Sequence, residues 1–379
     1  MKIERITSTA YRLPLKEHFM SAKYLITHQE HVVTIIETDT GVTGSGWCTT
    51  VGVGGLAIKS LLDAYLAQLL IGQDPRANER LWEMLWSDCH FAGPGGLTTL
   101  AIATVDIALW DIKAKAAGEP LHRLLGGGRS EVPVYASAVN LHLSKDALLA
   151  QVEEHLSLGY SSFKLKIGRN NVDDDIDRCR SVRKLIGNQR ALMLDVNQKW
   201  RAAEAVQRCR AFAEVNPGWI EEPILSDDVA GHAHVRAQCG IPVAIGEQLC
   251  NRFEFWNYVR QGAADILQPN VWKVGGITEW MKIAALAQSA NLQIAPHNAL
   301  ELSQHLVAAA TNGYMVEKIF GSDLYDLGAT QTPIEVHAGK ITLTEIPGHG
   351  VVFDGPALAA NRLDHGTAIQ RQSTTHAGL

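Results

Sequence analysis

Three acidic residues at equal spacing constrain the fold of this chain more than any other feature. Asp195, Glu221 and Glu247 each close a short apolar run, and consecutive members lie 26 residues apart. That interval holds one strand, one helix and two short loops, the repeating unit of a (β/α)8 barrel, whose catalytic residues lie at the C-terminal ends of its strands. Carboxylates from three successive strands would form an all-oxygen site suited to Mg²⁺. We therefore expect these three residues to bind Mg²⁺ at the mouth of a barrel.

The sequence around these acids shows the same alternation of strand and helix. From Val132 onward, short apolar runs alternate with amphipathic helical stretches, which is typical of parallel β/α architecture. The pattern predicts eight strands, at residues 132–138, 161–168, 191–197, 218–223, 242–248, 264–270, 292–298 and 314–320. The expected fold class is therefore α/β, with a modified TIM, or (β/α)8-type, barrel.

The two ends of the chain do not follow this alternation of strand and helix. Residues 1–50 contain strand-like runs, of which HVVTIIETDTG predicts an antiparallel hairpin, and the stretch from Leu56 to Gly118 is helical. We expect an N-terminal α+β capping domain over residues 1–130, the barrel over 131–330, and a C-terminal segment over 331–379. This last segment is expected to return to the cap and to end in a disordered tail.

Composition argues against several classes of function. The 379 residues carry a net charge of −6 and no basic run, which argues against a nucleic-acid partner. No apolar stretch approaches the ~20 residues that span a bilayer, and the N-terminus lacks the apolar core of a signal peptide. The six cysteines show no CxxC spacing, as in reduced proteins. We expect a soluble, cytoplasmic protein without nucleic-acid or membrane partners.

Candidate acid–base residues lie on either side of the acidic series. Lys164 and Lys166 precede it by one strand and face the same way, so that each should lower the pKa of the other. His297 ends the seventh strand, across the barrel. A base, an opposing acid/base and a divalent cation between them suit removal of the proton α to a carboxylate. The alternative for the two lysines is a solvated basic strand tip.

Together these motifs resemble the enolase superfamily, in particular its mandelate racemase subgroup (the mandelate racemase/muconate lactonizing enzyme family), and there the acid-sugar dehydratases and cycloisomerases. The resemblance rests on AIATVDIALWDIKAKAAGEPLHRLLGG, FKLKIG, LMLDVNQ, WIEEP, AIGEQL, DILQPN followed by VGGIT, and APHNA, and it covers almost the whole chain. It implies Mg²⁺ on the three acids, Lys166 as base with Lys164 as its electrostatic partner, and His297 as the opposing acid/base.

The resemblance assigns further residues. Glu317 on the last strand would help to hold the enolate, donating a hydrogen bond if it is protonated; the alternative is a salt-bridged acid at the rim. Asn197 would line the site near metal or substrate. Two cap loops, about 19–31 and 49–55, would cover the mouth, and we expect Lys23, Tyr24 and His28 of the first loop to bind the substrate. The polar character of these loops suits a hydroxylated carboxylate, and the family commonly forms homo-oligomers, either dimers or octamers.

One strand end departs from the family pattern. The subgroup usually pairs its histidine with an aspartate, and the matching residue is Asn270. We expect its amide to accept the imidazole N–H of His297 and to hold the ring without the charge that stabilises imidazolium. Lys166 would then be the base. A base on one face only favours elimination or cycloisomerisation over racemisation. A neighbouring acid in place of the missing aspartate, and a homologue without activity, are the other interpretations.

These expectations combine into one reaction. We expect Mg²⁺-dependent dehydration of a sugar acid, an aldonate or aldarate, to a 2-keto-3-deoxy acid. The alternatives are a sugar-acid lactone cycloisomerase, a racemase or epimerase of a 2-hydroxy acid, and an inactive homologue that only binds a sugar acid.

Overall fold

The computed structural model describes residues 1–22 and 25–363, which form a three-stranded sheet, a helical layer and an eight-stranded barrel. The cap strands are β1 (Ile3–Met20), β2 (Leu25–Thr38) and β3 (Thr43–Thr50). The cap helices are α1 (Gly55–Leu61), α2 (Ala67–Leu70), α3 (Asn78–Cys89), α4 (Leu97–Ala117) and α5 (Leu121–Leu124), with a π-helical turn, Leu62–Leu66, between the first two.

The cap is built on one close contact between sheet and helix. The predicted hairpin is confirmed, since β2 and β3 pair antiparallel with Val33 opposite Trp47. Helix α4 packs against β3, where a Cβ on Gly46 would lie only 2.0 Å from the carbonyl oxygen of Thr104. Only glycine permits this approach. The helix ends at Gly118 in a left-handed conformation, as its sequence predicted.

All eight predicted barrel strands are present and parallel. They are β4 (Glu131–Ser137), β5 (Ser162–Lys166), β6 (Ala191–Asp195), β7 (Ile220–Glu221), β8 (Val243–Ile245), β9 (Ile266–Leu267), β10 (Gln293–Ile294) and β11 (Val316–Ile319). Neighbours in sequence pair from β4 to β10, and β11 pairs with β4. A parallel bridge between Ile294 and Gly313 joins β10 to the start of β11 and closes the barrel.

Seven helices connect these strands on the outside. They are α6 (Lys145–Ser157), α7 (Val172–Ile186), α8 (Ala202–Phe212), α9 (Val229–Cys239), α10 (Arg252–Arg260), α11 (Ile277–Ser289) and α12 (Leu300–Ala309), with a 3₁₀ turn, Ala213–Val215, after α8. Asp106 of α4 accepts hydrogen bonds from the backbone N–H (2.9 Å) and the hydroxyl (2.6 Å) of Thr278 at the start of α11. This contact fixes the cap to the barrel. No helix in the described part of the chain has the length and apolarity needed to cross a membrane.

The segment after β11 contacts both other regions. It contains β12 (Val336–His337), β13 (Lys340–Thr342) and the short helix α13 (Gly355–Ala359). Strand β13 pairs antiparallel with β4, so the segment first adds to the barrel. Further on, the His349 ring lies 2.9 Å from the carbonyl oxygen of Ser45 in the cap sheet. The tail predicted to be disordered begins beyond the described residues.

Apolar and aromatic side chains fill the barrel beneath its mouth. They form a cluster separate from the main core, and all are buried. The members are Tyr135, Met193, Trp219, Ala244, Ile266, Ala295 and Met315. Tyr135 and Trp219 meet edge to face with ring centroids 5.5 Å apart. The polar side chains at the mouth therefore rest on a dry apolar layer.

The first of the two predicted cap loops is mostly strand. β1 continues to Met20 and β2 begins at Leu25, and Phe19 lies opposite Ile26. The prediction of a loop over 19–31 is wrong in this respect, because apolar and β-branched residues extend the ladder as far as the pair Met20–Leu25. The second segment, 49–55, does leave the sheet, and it turns with positive φ at Gly52 and Gly54.

Candidate active site

The three evenly spaced acids converge at the mouth of the barrel. Asp195 ends β6, Glu221 ends β7, and Glu247 follows β8 by two residues. One oxygen of each lies within 4.8 Å of the others. The Oε2 atom of Glu247 is buried and lies 3.2 Å from His297 Nε2. Three converging carboxylates fit a hard divalent cation such as Mg²⁺.

The two lysines are buried beside these acids. The Lys164 ammonium lies 2.7 Å from Glu221 Oε1, 2.5 Å from Glu317 Oε1 and 3.5 Å from Asp195 Oδ2, and Lys166 forms an ion pair with Asp195. Burial alone would lower both pKa values. The carboxylates outweigh it, Glu221 and Glu317 for Lys164 and Asp195 for Lys166, and both pKa values lie above the ordinary range. The predicted repulsion between the lysines lowers the pKa of Lys166, but by less than Asp195 raises it. The alternative of a solvated strand tip is wrong, because both side chains are buried.

Glu317 is ionised in this arrangement. Burial would raise its pKa, but the ammonium of Lys164 outweighs burial and lowers the pKa to about 2. The backbone N–H of Asn298 donates to its Oε2 at 3.1 Å. The prediction of a protonated Glu317 that donates a hydrogen bond is therefore not supported by its surroundings. Its alternative was half right, because the residue is salt-bridged but fully buried rather than at a rim.

Two residues that sequence reasoning missed hold Glu221 in place. The indole N–H of Trp219 donates to Glu221 Oε2 at 3.0 Å, and the Gln268 amide donates to the same oxygen at 2.8 Å. Trp219 stands two residues before Glu221, and Gln268 stands two before Asn270, so strand alternation would have pointed to both. Burial and the neighbouring acids raise the pKa of Glu221 to about 8, against the opposing charge of Lys164. A cation among these oxygens would relieve that repulsion.

The contact between Asn270 and His297 differs from expectation. Asn270 Oδ1 accepts hydrogen bonds from the backbone N–H groups of Trp272 (2.9 Å) and Lys273 (3.2 Å). Its amide nitrogen therefore faces His297 Nδ1, at 3.0 Å. The prediction that Asn270 accepts the imidazole N–H is wrong, because the loop after β9 already occupies the amide oxygen.

A cavity of about 290 Å³ opens above these groups, between barrel and cap. Of the predicted site residues, the ones that line it are Lys166, Asn197, Glu247, Asn270 and His297. His28 is not among its lining residues; its ring lies 3.3 Å from the carbonyl oxygen of Gly52 instead. Lys23 and Tyr24 lie outside the described residues.

The upper walls of the cavity offer hydrogen-bonding atoms of their own. Thr50 Oγ1, Asn197 Oδ1 and Trp272 Nε1 are buried without a hydrogen-bond partner among the described residues. Lys273 also lines the cavity, and within residues 1–22 and 25–363 its ammonium makes no ion pair. Buried polar atoms without partners are costly unless a ligand meets them. Sequence reasoning named Asn197 and missed Thr50, Trp272 and Lys273, although the last two follow Asn270 closely.

The backbone is strained around the same mouth. Eight described non-glycine residues have positive φ, and five of them follow barrel strands. These five are Asn197, Gln198, Glu222, Asn298 and Ala299. Such conformations cost of order 1–3 kcal/mol each and concentrate at functional sites. The strain therefore supports the placement of the site at this end of the barrel.

Comparison with known proteins agrees with the geometry. The family model "Enolase C-terminal domain-like" matches residues 147–357, and "Mandelate racemase / muconate lactonizing enzyme, N-terminal domain" matches residues 5–126. The chain is 36% identical over 354 residues to 3,6-anhydro-alpha-L-galactonate cycloisomerase of Streptomyces coelicolor, covering 93% of this chain and 97% of that relative.

Solved structures of similar proteins contain magnesium. One is a racemase from Streptomyces coelicolor A3(2) with bound magnesium, with a TM-score of 0.92, 35% identity, and coverage of 95% of this chain and 100% of that one. Another is L-talarate dehydratase from Polaromonas sp. JS666 with Mg and L-glucarate, with a TM-score of 0.87, 35% identity, and coverage of 96% and 98%. The expected cofactor, Mg²⁺, is thereby confirmed. The chain is an enzyme that belongs to the mandelate racemase/muconate lactonizing enzyme family of the enolase superfamily.

Proposed function

We propose that this enzyme removes the proton α to the carboxylate of a sugar acid and expels the oxygen substituent at the β-carbon. With hydroxide as the leaving group the reaction is a dehydration, and the product is a 2-keto-3-deoxy acid. The observation that carries the proposal is the position of Lys166, beside the acidic cluster and at the bottom of a cavity whose upper walls carry unpartnered hydrogen-bonding atoms.

Each group at the bottom of the cavity has a distinct task. Asp195, Glu221 and Glu247 would hold Mg²⁺, which when bound supplies positive charge for the substrate carboxylate and competes with the lysines for the charge of these acids. Lys166, as the free amine, takes the α-proton. Lys164 stays protonated between Glu221 and Glu317 and adds a fixed positive charge beside the reacting carboxylate.

Lys273 indicates which sugar acids fit. It lines the cavity, and among the described residues it forms no salt bridge with a carboxylate. A second carboxylate on the substrate would supply that partner. We therefore place aldarates, which carry a carboxylate at each end, ahead of aldonates.

A second candidate reaction uses the same first step. If the β-oxygen belongs to a ring, its departure opens the ring and the product is an isomer of the substrate. The 36% identical relative named as a cycloisomerase favours this candidate. Racemisation is less well supported, because it needs a competent base on the second face, and Asn270 in place of aspartate removes the charge that would sustain one.

Incubation with a stereochemically complete panel of aldarates, aldonates, lactones and anhydro-sugar acids in D₂O tests the proposal. A keto-acid assay with mass spectrometry separates dehydration, which loses one water, from cycloisomerisation, which loses none. Lys166→Ala should abolish turnover and α-deuteration, whereas Lys145→Ala, an exposed lysine on α6, should leave both unchanged. Deuteration at Cα without keto acid from any substrate would exclude both eliminations and leave a racemase or epimerase.

A further inference from the structure

Four polar side chains form a continuous hydrogen-bonded series beside the cavity, which we call the polar row. Thr49 Oγ1 lies 3.1 Å from His31 Nδ1, and His31 Nε2 lies 3.2 Å from Gln29 Oε1. Gln29 Nε2 lies 2.7 Å from Ser322 Oγ. Thr49, Gln29 and Ser322 line the cavity. The polar row therefore joins the cap strands β3 and β2 to the barrel segment after β11 at the place where a substrate would bind.

The His31 ring carries a single proton. The residue is only 2% exposed, and burial lowers its pKa to about 3, so the imidazole is neutral at neutral pH. A neutral imidazole donates from one nitrogen and accepts at the other. The contacts of His31 with Thr49 and with Gln29 must therefore run in the same direction along the row.

The amide of Gln29 sets that direction. Its Nε2 donates to Ser322 Oγ, so its Oε1, which can only accept, is the atom near His31 Nε2. The ring proton of His31 therefore resides on Nε2, and Nδ1 accepts from the hydroxyl of Thr49. To reverse the row, the amide, the ring proton and both hydroxyls would have to change together, because any single change places two donors or two acceptors against each other.

The two ends of the polar row consequently differ in what they can offer a ligand. Ser322 Oγ already accepts from Gln29, which leaves its O–H as a donor, whereas Thr49 donates its only hydroxyl proton to His31. We propose that Ser322 donates a hydrogen bond to an oxygen of the substrate and that Thr49 accepts one from a hydroxyl group of the same molecule. Gln29 and His31 are the positioning residues that set these two roles.

The inference deepens the proposed function and rests on it. The loop that carries Ser322 is fixed on both sides, since the backbone N–H of Leu324 donates to Glu301 Oε1 at 2.8 Å and Lys318 forms an ion pair with Asp323. A fixed acceptor at Thr49 requires a proton from the substrate, which a deoxy or O-methyl analogue cannot supply. We therefore expect one hydroxyl position of the sugar acid at which either change lowers kcat/KM by about 10-fold or more.

Substitutions at the two ends of the Gln29 contact test the roles. Ser322→Ala removes the donor, and Gln29→Glu redirects it, because a carboxylate can only accept and would take the Ser322 hydroxyl proton away from the substrate. Gln29→Met removes the amide without offering such an acceptor. We expect kcat/KM on the best acid of the panel to fall about 10- to 100-fold in the first two variants and less than about 5-fold in Gln29→Met.

The matched control is Ser289→Ala, which removes an exposed hydroxyl on α11 and should leave kcat/KM unchanged. Circular dichroism confirms that each variant is folded. Equal losses in Gln29→Met and Gln29→Glu, or no loss in Ser322→Ala, would overturn the proposal.

A spectroscopic measurement decides the direction of the polar row without any turnover. The full-length, Mg²⁺-loaded enzyme is labelled with ¹⁵N-histidine, and the His31 signals are identified by their loss in His31→Gln. We expect a protonated Nε2 and an unprotonated Nδ1 at neutral pH. A protonated Nδ1 would mean that Thr49 and not Ser322 is the donor, and it would overturn the proposal even if sugar acids react. A panel in which no acid reacts would instead refute the proposed function, so the two failures can be told apart.

Discussion

The lower and upper parts of the cavity are built in opposite ways. The lower part, which we call the floor, is Lys166, which lines the cavity, and the buried charged groups around it. These groups are Lys164, Asp195, Glu221 and Glu317, and every member of the floor has a charged partner within the chain. The upper part, which we call the wall, consists of Thr50, Trp272 and Lys273. Thr50 Oγ1 and Trp272 Nε1 have no hydrogen-bond partner among the described residues, and Lys273 forms no salt bridge with them. The charged groups of the floor therefore have their partners before a substrate binds, whereas the polar groups of the wall gain partners only from a bound substrate. Chemistry and selectivity are carried by separate groups.

The largest expected effect is on the floor. Lys164→Met leaves Glu221 and Glu317 without their shared cation in a buried place, and breaking a buried ion pair from one side costs about 3–5 kcal/mol. Lys340→Met removes an exposed lysine that pairs with Glu131 and should change the free energy of unfolding by no more than about 1 kcal/mol. Urea denaturation measures both. Equal small losses would show that the ion pairs do not determine the stability of the floor.

Mg²⁺ should stabilise the protein through the same acids. A cation that binds only the folded state adds about 2.7 kcal/mol at a concentration 100 times its Kd, and it raises Tm accordingly. Glu247→Gln should reduce this Mg²⁺-dependent shift, whereas Thr50→Val on the wall should not. Thermal unfolding across a Mg²⁺ titration is the measurement. The same shift in the wild type and in Glu247→Gln would remove Glu247 from the ligand set.

The wall should affect substrate recognition and not stability. Thr50→Val exchanges a hydroxyl for a methyl group of similar size, and an unmet substrate hydroxyl should lower kcat/KM by about 5- to 100-fold. The free energy of unfolding should stay within about 0.5 kcal/mol. Unchanged kcat/KM on every substrate of the panel would show that this hydroxyl does not meet the ligand.

Lys273 offers a sharper comparison within the wall. Lys273→Met should lower kcat/KM for diacids by about 10-fold or more and leave monoacids nearly unchanged, while Lys273→Arg should retain most of the activity on diacids. Steady-state kinetics on matched aldarate and aldonate pairs measures this. An equal loss on both classes would assign Lys273 a structural role.

The smallest expected effect is on the free energy of unfolding at acidic pH, and it involves His31. Burial lowers the pKa of His31 to about 3, and this ring contacts Gln29 and Thr49, which line the cavity. The unfolded chain binds a proton below about pH 6.5 that the folded protein excludes. The contribution of His31 is therefore fully present above pH 6.5 and decreases as the pH falls toward 3. His31→Gln should flatten the dependence of unfolding free energy on pH between 6.5 and 4, and an unchanged slope would contradict the burial argument.

The sequence predicted positions better than states of charge. Spacing located the strand ends, so Asp195, Glu221 and Glu247 were found together, because strand period and parallel topology leave little freedom. The charge of Glu317 depends on Lys164, which approaches from another strand, and no local pattern records that distance. The direction of the Asn270 amide depends on two backbone N–H groups in the next loop. Such features require the folded backbone, and they distinguish a donor from an acceptor at the same residue.

The pairing of β4 has a consequence for synthesis on the ribosome. Val316, where its parallel neighbour β11 begins, follows Glu131 by 185 residues, and β13 comes later still. At 5–20 residues per second, the exposed edge of β4 waits roughly 10–40 s for its partners. The nascent barrel therefore presents an open apolar strand for most of its translation. Until β11 and β13 are synthesised, that edge is open to pairing with another chain.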